Sequence, residues 1–126
     1  MCFACGPDNP IGLKIRFDCE GDRCRASFTP GPNHVGWENT VHGGIIYAAL
    51  DDVTANVMHQ QGQKAHTARC EIRYRQPLRV DETIELQGWV EKRRGRLVLL
   101  RGEARKAEDH SLVADCTATF MLVEQE

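Results

Sequence analysis

One long segment has a helical pattern and is apolar on nearly every side, and the sequence after it alternates like β-strand. From Gly43 to about His59, apolar residues recur at spacings of four, three and four, which makes one continuous hydrophobic face. Small and aliphatic residues fill much of the rest, so this helix is predicted to be buried. Two adjacent carboxylates, Asp51 and Asp52, nevertheless stand in its middle. Because taking a carboxylate out of water is costly, we expect at least one of them to serve chemistry.

The segments around this helix predict an antiparallel sheet. Alternating stretches lie at residues 13–17, 25–28, 68–75, 83–91, 97–107 and 112–123. Five or six long strands with tight turns suggest a meander, and one apolar helix inserted after the second strand suggests an α+β domain in which the sheet curls around it. One sheet on one helix leaves the outer sheet face and an edge strand uncovered. At least a dimer is therefore expected.

Length, charge and hydropathy restrict the class of protein. A chain of 126 residues predicts a single domain, 1–126, with one core. The formal net charge of −2 lacks the basic surplus that holds nucleic acid or an anionic membrane. No apolar run approaches the roughly 18 residues of a membrane span, and the N-terminus has no signal-peptide pattern. These features predict a cytoplasmic protein without nucleic-acid or membrane partners.

The six cysteines are interpreted as reduced thiols. Cys2 and Cys5 have the spacing of half a zinc knuckle, but no second closely spaced pair completes it. Cys19 and Cys24 flank a Gly-Asp turn that is predicted to be a hairpin tip. A disulfide framework would require secretion, which nothing in the sequence supports. A metal site or a redox pair is the alternative.

The glycine pair at the start of the helix predicts an anion or oxyanion site. Gly43 and Gly44 have no side chains, and the first turn of a helix presents unpaired N–H donors at the positive end of the macrodipole. Such a site suits a carbonyl that becomes negative during acyl transfer. Alternatively, the glycines only let a loop pass tightly over the sheet. His42, just before them, is either a general base or a structural residue that fixes the turn.

Asp51 is favoured over Asp52 as the working carboxylate. The two side chains point about 100° apart. The residues on the same helix face as Asp51 are less polar than those on the face of Asp52. Asp51 lies eight residues beyond Gly43, about 12 Å along the helix axis. A carbonyl held at the helix start is therefore out of reach of Asp51 in the same chain. A two-fold dimer would bring the two parts together from different copies.

These residues resemble a known family. The opening CFACGPDNPIGL of residues 2–13, the VHGG of residues 41–44 and the acid at Asp51 are similar to hotdog-fold acyl-CoA thioesterases, with the phenylacetate-pathway type as nearest relatives. The resemblance covers essentially the whole chain and implies a hotdog fold. It also implies hydrolysis of an acyl-CoA thioester by a homodimer or dimer of dimers that needs no metal or other cofactor.

The resemblance assigns roles to individual positions. Asp51 would act as nucleophile or as general base on water, and the backbone N–H of Gly44 or its neighbour would polarise the thioester carbonyl. His42 would orient that turn. Thr67, on the strand after the helix, would assist the water. The chain departs from many relatives at Gly36, where they have an asparagine.

Further residues are predicted to bind the substrate. Asn39 stands where relatives have glycine, and it either tolerates a left-handed backbone or takes on a polar role. Tyr47 and Trp37 are interpreted as lining an apolar slot for an acyl group of unspecified length. Arg93 and Arg94, at a predicted hairpin tip, would meet the phosphates of CoA, although charges at such tips are usually only solvated.

Two other functions fit the same pattern. One is a non-catalytic domain that binds or senses acyl-CoA and needs no working Asp51. The other is a hotdog dehydratase that acts on a 3-hydroxyacyl thioester, which would make His42 essential.

Overall fold

A six-stranded antiparallel sheet and one long helix form most of the computed structural model, which describes residues 1–123. The strands of this sheet are β1 (Asp18–Glu20), β2 (Arg23–Phe28), β5 (Ala65–Tyr74), β6 (Ile84–Arg94), β7 (Leu97–Lys106) and β8 (Leu112–Leu122). The helix α1 spans Gly43–Gln60, and a short hairpin of β3 (Val35–Trp37) and β4 (Thr40–Val41) precedes it. The sheet packs on the helix through one hydrophobic core, so the predicted α+β fold with a central helix is confirmed.

The sheet is a meander only in its centre. The strand order is β1-β2-β6-β7-β8-β5, so β6, β7 and β8 follow one another while β5 lies beyond β8 at one edge. The helix between β2 and β5 carries the chain across the sheet, and β6 then returns to pair with β2. The prediction of a simple meander is therefore wrong for β5. This order leaves β5 at an edge, and its ten residues are mostly exposed.

The segment at residues 13–17 alternates in burial without being a strand. The amide of Leu13 donates to the carbonyl of Phe3 at 2.7 Å, and that of Ile15 donates to Ala4 at 2.9 Å. Both Leu13 and Ile15 are buried, while β1 begins only afterwards. The strand predicted here is wrong, because these amides hold the N-terminal loop instead of joining the sheet.

The hairpin of β1 and β2 contains a disulfide. Cys19 and Cys24 are directly paired residues, with Cα atoms 4.0 Å apart, and their sulfurs are bonded. The predicted hairpin tip is confirmed, but the prediction of reduced thiols is wrong for these two cysteines because the turn places them face to face. The free cysteines of the described chain are Cys2, Cys5, Cys70 and Cys116.

The helix lies very close to the centre of the sheet. Gly88 of β6 and Gly102 of β7 are paired residues, and a Cβ atom at Gly88 would stand 2.8 Å from the carbonyl oxygen of Val53. Thr54, also on this side of the helix, is fully buried, and its hydroxyl donates to the carbonyl of Asp51 at 2.9 Å. Because these two glycines have no side chains, the middle of α1 packs directly against the backbone of the sheet.

The described residues contain no helix that is long and apolar enough to cross a membrane. The single domain predicted over 1–126 stays a prediction, and its last three positions, 124–126, lie outside the described residues.

Candidate active site

The middle of the helix brings Asp51 against strand β5. The hydroxyl Oγ1 of Thr67 donates to Oδ1 of Asp51 at 3.3 Å. Asp51 is only partly buried, and none of the ion pairs described within residues 1–123 involves it. Burial raises the pKa of the Asp51 carboxyl, and the Thr67 hydroxyl partly offsets this rise. A carboxylate with a raised pKa and no cation beside it is a better base than an exposed aspartate.

A β-bulge turns Thr67 towards the helix. Thr67 pairs with Phe120 of β8, whereas Arg69 pairs with the next residue, Thr119, so Ala68 is the extra residue. Directly paired residues share a face of the sheet, and Phe120 is buried on the helix side. Without the bulge, strict alternation would place Thr67 on the outer face with Arg69. The bulge is therefore what brings the Thr67 hydroxyl to Asp51.

Tyr47 lies one helical turn before Asp51 and joins the same group. A hydrogen bond with Cys70, followed by burial and the nearby charges of Cys70 and Asp51, raises the pKa of Tyr47 to about 12. Tyr47 is therefore protonated at neutral pH, and its hydroxyl lies against Cys70 of β5. Burial, together with the neighbouring Cys70, raises the pKa of the Cys116 thiol to about 12. Cys116 is thus not available as a thiolate nucleophile.

The start of the helix is capped by the side chain of His42. Its Nδ1 accepts the amide hydrogen of Gly44 at 2.8 Å, so a neutral His42 carries its proton on Nε2. A Cβ atom at Gly44 would lie 3.0 Å from that Nδ1, which explains why a glycine stands there. The amide of Gly43 has no hydrogen-bond partner within the described residues. Within the described residues the free donor of the turn is therefore Gly43, the neighbour of the predicted Gly44.

Tyr74 of strand β5 forms a hydrogen bond with the same turn. Its hydroxyl donates to the carbonyl oxygen of Gly43 at 2.8 Å. Tyr74 and Cys70 were not predicted as site residues. Alternation along β5 nevertheless placed them, with Ile72, on the face opposite the arginines. The signal that could have identified them is that two side chains able to form hydrogen bonds share an otherwise apolar face.

Asp52 faces a different part of the molecule. Its Oδ2 accepts from Nδ2 of Asn56 at 3.1 Å, and its Oδ1 accepts from Sγ of Cys2 at 3.7 Å. Burial raises the pKa of Asp52, while hydrogen bonds from Cys5, Cys2 and Asn56 lower it. The two carboxylates thus have separate surroundings, and the polar partners expected for Asp52 are present.

The loop before the helix holds two of the predicted substrate-binding residues. Trp37 ends β3 and is 73% exposed. Asn39 lies in the turn between β3 and β4, where its carbonyl oxygen accepts from the amide of Val80 at 3.1 Å. No positive φ angle is found at Asn39, so the left-handed backbone that an asparagine there would tolerate is not used.

The predicted arginines lie at the other end of the helix. Arg93 forms an ion pair with Asp22 at 3.1 Å and donates to Oε1 of Gln61 at 2.8 Å. Gln61 is about 15 Å beyond Asp51 along the helix axis. Arg94 is exposed at the end of β6. The structure therefore does not bring these arginines to Asp51 within the chain.

A cavity lies beyond Asp51, near the end of the helix. Its volume is about 380 Å³, and its lining includes Ala55, Met58, His66 and Phe120. Ala55 stands one turn beyond Asp51, and His66 directly precedes Thr67. The volume falls within the range of small-molecule sites, about 300–1,000 Å³. The cavity is thus partly apolar and large enough for a small ligand, but Asp51 itself is not among its lining residues.

An antiparallel sheet curled around one long helix, with a carboxylate at mid-helix facing an edge strand, defines this chain as a hotdog-fold protein. A family model described as the thioesterase superfamily matches residues 38–113. This match spans more than half of the sequence, so the chain belongs to the thioesterase superfamily, as the resemblance implied.

Solved structures show the same fold. The chain is similar to a hypothetical thioesterase protein with coenzyme A from Streptococcus pneumoniae TIGR4, with 13% identity, 89% of this chain and 88% of that chain covered, and a TM-score of 0.82. It is similar to a mutant of the phenylacetic acid degradation protein PaaI from Thermus thermophilus, with 22% identity, 88% and 95% coverage, and a TM-score of 0.81. For the PaaI protein of E. coli the identity is 17%, the coverage 86% and 83%, and the TM-score 0.81. A search of curated proteins gave no match.

Proposed function

We propose that this protein hydrolyses an acyl-CoA thioester to the free acid and CoA, with Asp51 as the reacting carboxylate. The observation that carries the proposal is the partly buried Asp51, which Thr67 hydrogen-bonds, whose pKa is raised by burial, and which forms no ion pair described within residues 1–123. Membership of the thioesterase superfamily supports the reaction class. A structure of the same fold that contains coenzyme A supports the choice of thioester.

The two halves of the site come from different protomers in this proposal. Asp51 lies about 12 Å along the helix from Gly43, so one carbonyl cannot reach both in a single chain. The exposed edge strand β5 carries Thr67 and Tyr74, and pairing of such an edge with a second copy would remove an open row of backbone groups. A homodimer, or a dimer of such dimers, would create two equivalent sites.

The reaction follows from this arrangement. Asp51 takes a proton from water, whose oxygen attacks the thioester carbonyl carbon, with the Thr67 hydroxyl positioning the carboxylate. The amide of Gly43, and that of Gly44 if His42 releases it, donates to the oxyanion. The C–S bond then breaks and the proton passes to the CoA thiolate. Direct attack by Asp51 would instead form an anhydride that water opens.

The acyl group would occupy the cavity beyond Asp51, whose lining includes Ala55 and Met58. Tyr47 would border this space, while Trp37 and Asn39 would contact the substrate from the loop of the other protomer. Arg93 and Arg94 are proposed to meet the phosphates of CoA from the hairpin tip.

The decisive variant is Asp51→Asn, measured by free-thiol release from short, long and aromatic acyl-CoAs. General acid–base groups contribute about 10²–10⁴-fold, so we expect a loss in kcat of that size. Asp18→Asn is the matched control, because this exposed residue lies in β1 at the opposite edge of the sheet. Hydrolysis in H₂¹⁸O under single turnover tests for a nucleophilic Asp51, since ¹⁸O enters Asp51 only if an anhydride forms and water opens it at the Asp51 carbonyl. Undiminished turnover by Asp51→Asn would end the proposal.

The same measurements separate the two alternatives. A binding or sensing domain would bind acyl-CoA without release of CoA in the unmodified protein. A dehydratase would act on 3-hydroxyacyl thioesters and would lose at least about 10²-fold in His42→Ala. Because Nδ1 of His42 caps the helix, we expect His42→Ala to act through the position of the turn and to lower the melting temperature as well.

A further inference from the structure

The N-terminal loop places two thiols beside the second carboxylate of the helix. The sulfurs of Cys2 and Cys5 and a carboxylate oxygen of Asp52 all lie within 4.8 Å of one another. Asp52 is 50 positions away from Cys2 in the sequence, so the fold, and not the spacing alone, assembles this group. Within residues 1–123 no other group of three potential ligands from His, Cys, Asp and Glu meets the same distance.

The separation of Cys2 and Asp52 suits two ligands of a tetrahedral ion. Zinc binds thiolate sulfur at about 2.3 Å and carboxylate oxygen at about 2.0–2.2 Å, so two such ligands at a tetrahedral angle stand about 3.5–3.8 Å apart. The distance from Sγ of Cys2 to Oδ1 of Asp52 is 3.7 Å. Little movement of either side chain is needed for both atoms to contact one ion.

The surrounding contacts hold the ligands in place. Nδ2 of Asn56 donates to Oδ2 of Asp52 at 3.1 Å, which leaves Oδ1 directed towards Cys2. The amide of Gly6 donates to the carbonyl of Cys2 at 2.8 Å and closes the turn that contains both cysteines. Ala4, between the cysteines, is buried, and its carbonyl accepts from the amide of Ile15. Partners of this kind, which orient ligands, typically change metal affinity about 10–100-fold when removed.

We propose that Cys2, Cys5 and Asp52 form a zinc(II) site in which solvent supplies the fourth ligand. Two thiolates select zinc over magnesium, calcium or manganese, which prefer oxygen ligands, and a carboxylate oxygen is a further ligand that zinc accepts. The ion ties the N-terminal loop to the middle of α1, one residue from Asp51. From the sequence, reduced thiols are favoured over a metal site here because no second cysteine pair is present, and the helix carboxylate is the further ligand that the fold brings to them. This site is independent of the proposed hydrolysis.

Zinc binding by the reduced, full-length protein tests the site. The protein is treated with a phosphine reductant, freed of metal, and titrated anaerobically with Zn²⁺ against a chromophoric chelator. We expect one equivalent per chain. Titration with Co²⁺ should give the near-ultraviolet charge-transfer absorption of thiolate ligands with the visible bands of a tetrahedral ion. Zinc should also raise the melting temperature, by an amount that grows with the logarithm of the free zinc concentration above Kd.

Three variants locate the ion. Cys5→Ser and Asp52→Asn should each lower zinc affinity at least tenfold, and Cys5→Ser should also weaken the charge-transfer band. Cys70→Ser is the matched control, because this free cysteine lies on β5 outside the group, and it should retain one equivalent. If Cys5→Ser does not fold, alkylation of the unmodified protein replaces it: zinc should protect Cys2 and Cys5 from iodoacetamide, as located by mass spectrometry.

Several results would overturn the site. These are a stoichiometry far below one in the reduced protein, a cobalt spectrum without thiolate bands, or zinc affinity unchanged in both Cys5→Ser and Asp52→Asn. Loss of the ion in Cys70→Ser, or alkylation of Cys2 and Cys5 at the same rate with and without zinc, would equally exclude it.

Discussion

Replacement of Gly88 by alanine tests how closely the helix is packed on the sheet and whether that packing sets the position of Asp51. A Cβ atom at Gly88 would lie 2.8 Å from the carbonyl oxygen of Val53 and 3.0 Å from its carbonyl carbon. Both atoms belong to the helix backbone, so no change of side-chain rotamer can relieve the contact. Because ordinary contacts begin at 3.4 Å, the helix and β6 must separate locally by about 0.6 Å, the difference between these two distances.

This separation affects stability and activity together. Overpacking of a core typically costs about 1–3 kcal/mol, which lowers the melting temperature of a chain of this size by about 4–12 °C. Val53 is two residues from Asp51, whose hydrogen bond with Thr67 is already long at 3.3 Å. Since a misplacement of about 1 Å can cost about 10²-fold in rate, we expect kcat for acyl-CoA hydrolysis to fall by about tenfold.

Thermal unfolding followed by circular dichroism, together with steady-state thiol release, measures both effects. The matched control is Gly31→Ala, because a Cβ atom there meets nothing within 4 Å and the φ angle of −103° is normal for alanine. Its free energy of unfolding should stay within about 0.5 kcal/mol of the unmodified protein. If Gly88→Ala has the same melting temperature as Gly31→Ala, the close approach of α1 to β6 is refuted. A destabilised variant with unchanged kcat would show that packing at Gly88 does not position the carboxylate.

The remaining predictions concern Asp51 and the residues that contact its site. Thr67→Val removes a hydrogen bond that lowers the pKa of Asp51, so the acidic limb of the pH profile of kcat/KM should move to higher pH. Tyr74→Phe removes the hydrogen bond to Gly43, worth about 0.5–1.5 kcal/mol, and should lower kcat/KM by about 2–12-fold without loss of fold in circular dichroism. Urea unfolding should show Asp51→Asn to be more stable than the unmodified protein at neutral pH, because burial penalises the ionised carboxylate and raises its folded pKa. This advantage should disappear as the pH falls below the unfolded pKa of about 3.9, where both states are protonated.

The elements with strong periodicity were predictable, whereas their arrangement was not. The helix and the strands β6, β7 and β8 follow directly from apolar spacing, because each buries one continuous face. The place of β5 beyond β8 depends on pairing between distant segments, which no local pattern records. At residues 13–17 the alternation correctly indicated burial, but the amides of Leu13 and Ile15 bond to a loop. The disulfide of Cys19 and Cys24 follows from a turn that was predicted, combined with a redox state that composition does not specify.

The position of Thr67 shows a more specific limit of prediction from sequence patterns. Alternation along β5, extended from Cys70 and Ile72, assigns Thr67 to the outer face with Arg69. The resemblance to thioesterases placed it near Asp51 instead, and the bulge at Ala68 explains how both patterns hold within one strand. Nothing in the residues 67–69 marks a bulge, since none is glycine. The face that carries a side chain near a bulge is therefore visible only in the structure.

The adjacent acids Asp51 and Asp52 show that the partners of a carboxylate, more than its position in the sequence, indicate its role. Asp51 and Asp52 are chemically identical and differ by one helical step, and burial raises the pKa of both. Asp52 meets Asn56 and two thiols, a set of partners that can hold it in place or bind a cation. The Asp51 carboxylate accepts one hydrogen bond, from the hydroxyl of Thr67. A carboxylate with few partners keeps free lone pairs for a proton or an acyl carbon, so the less satisfied acid is the better candidate for catalysis and the more satisfied one for structure.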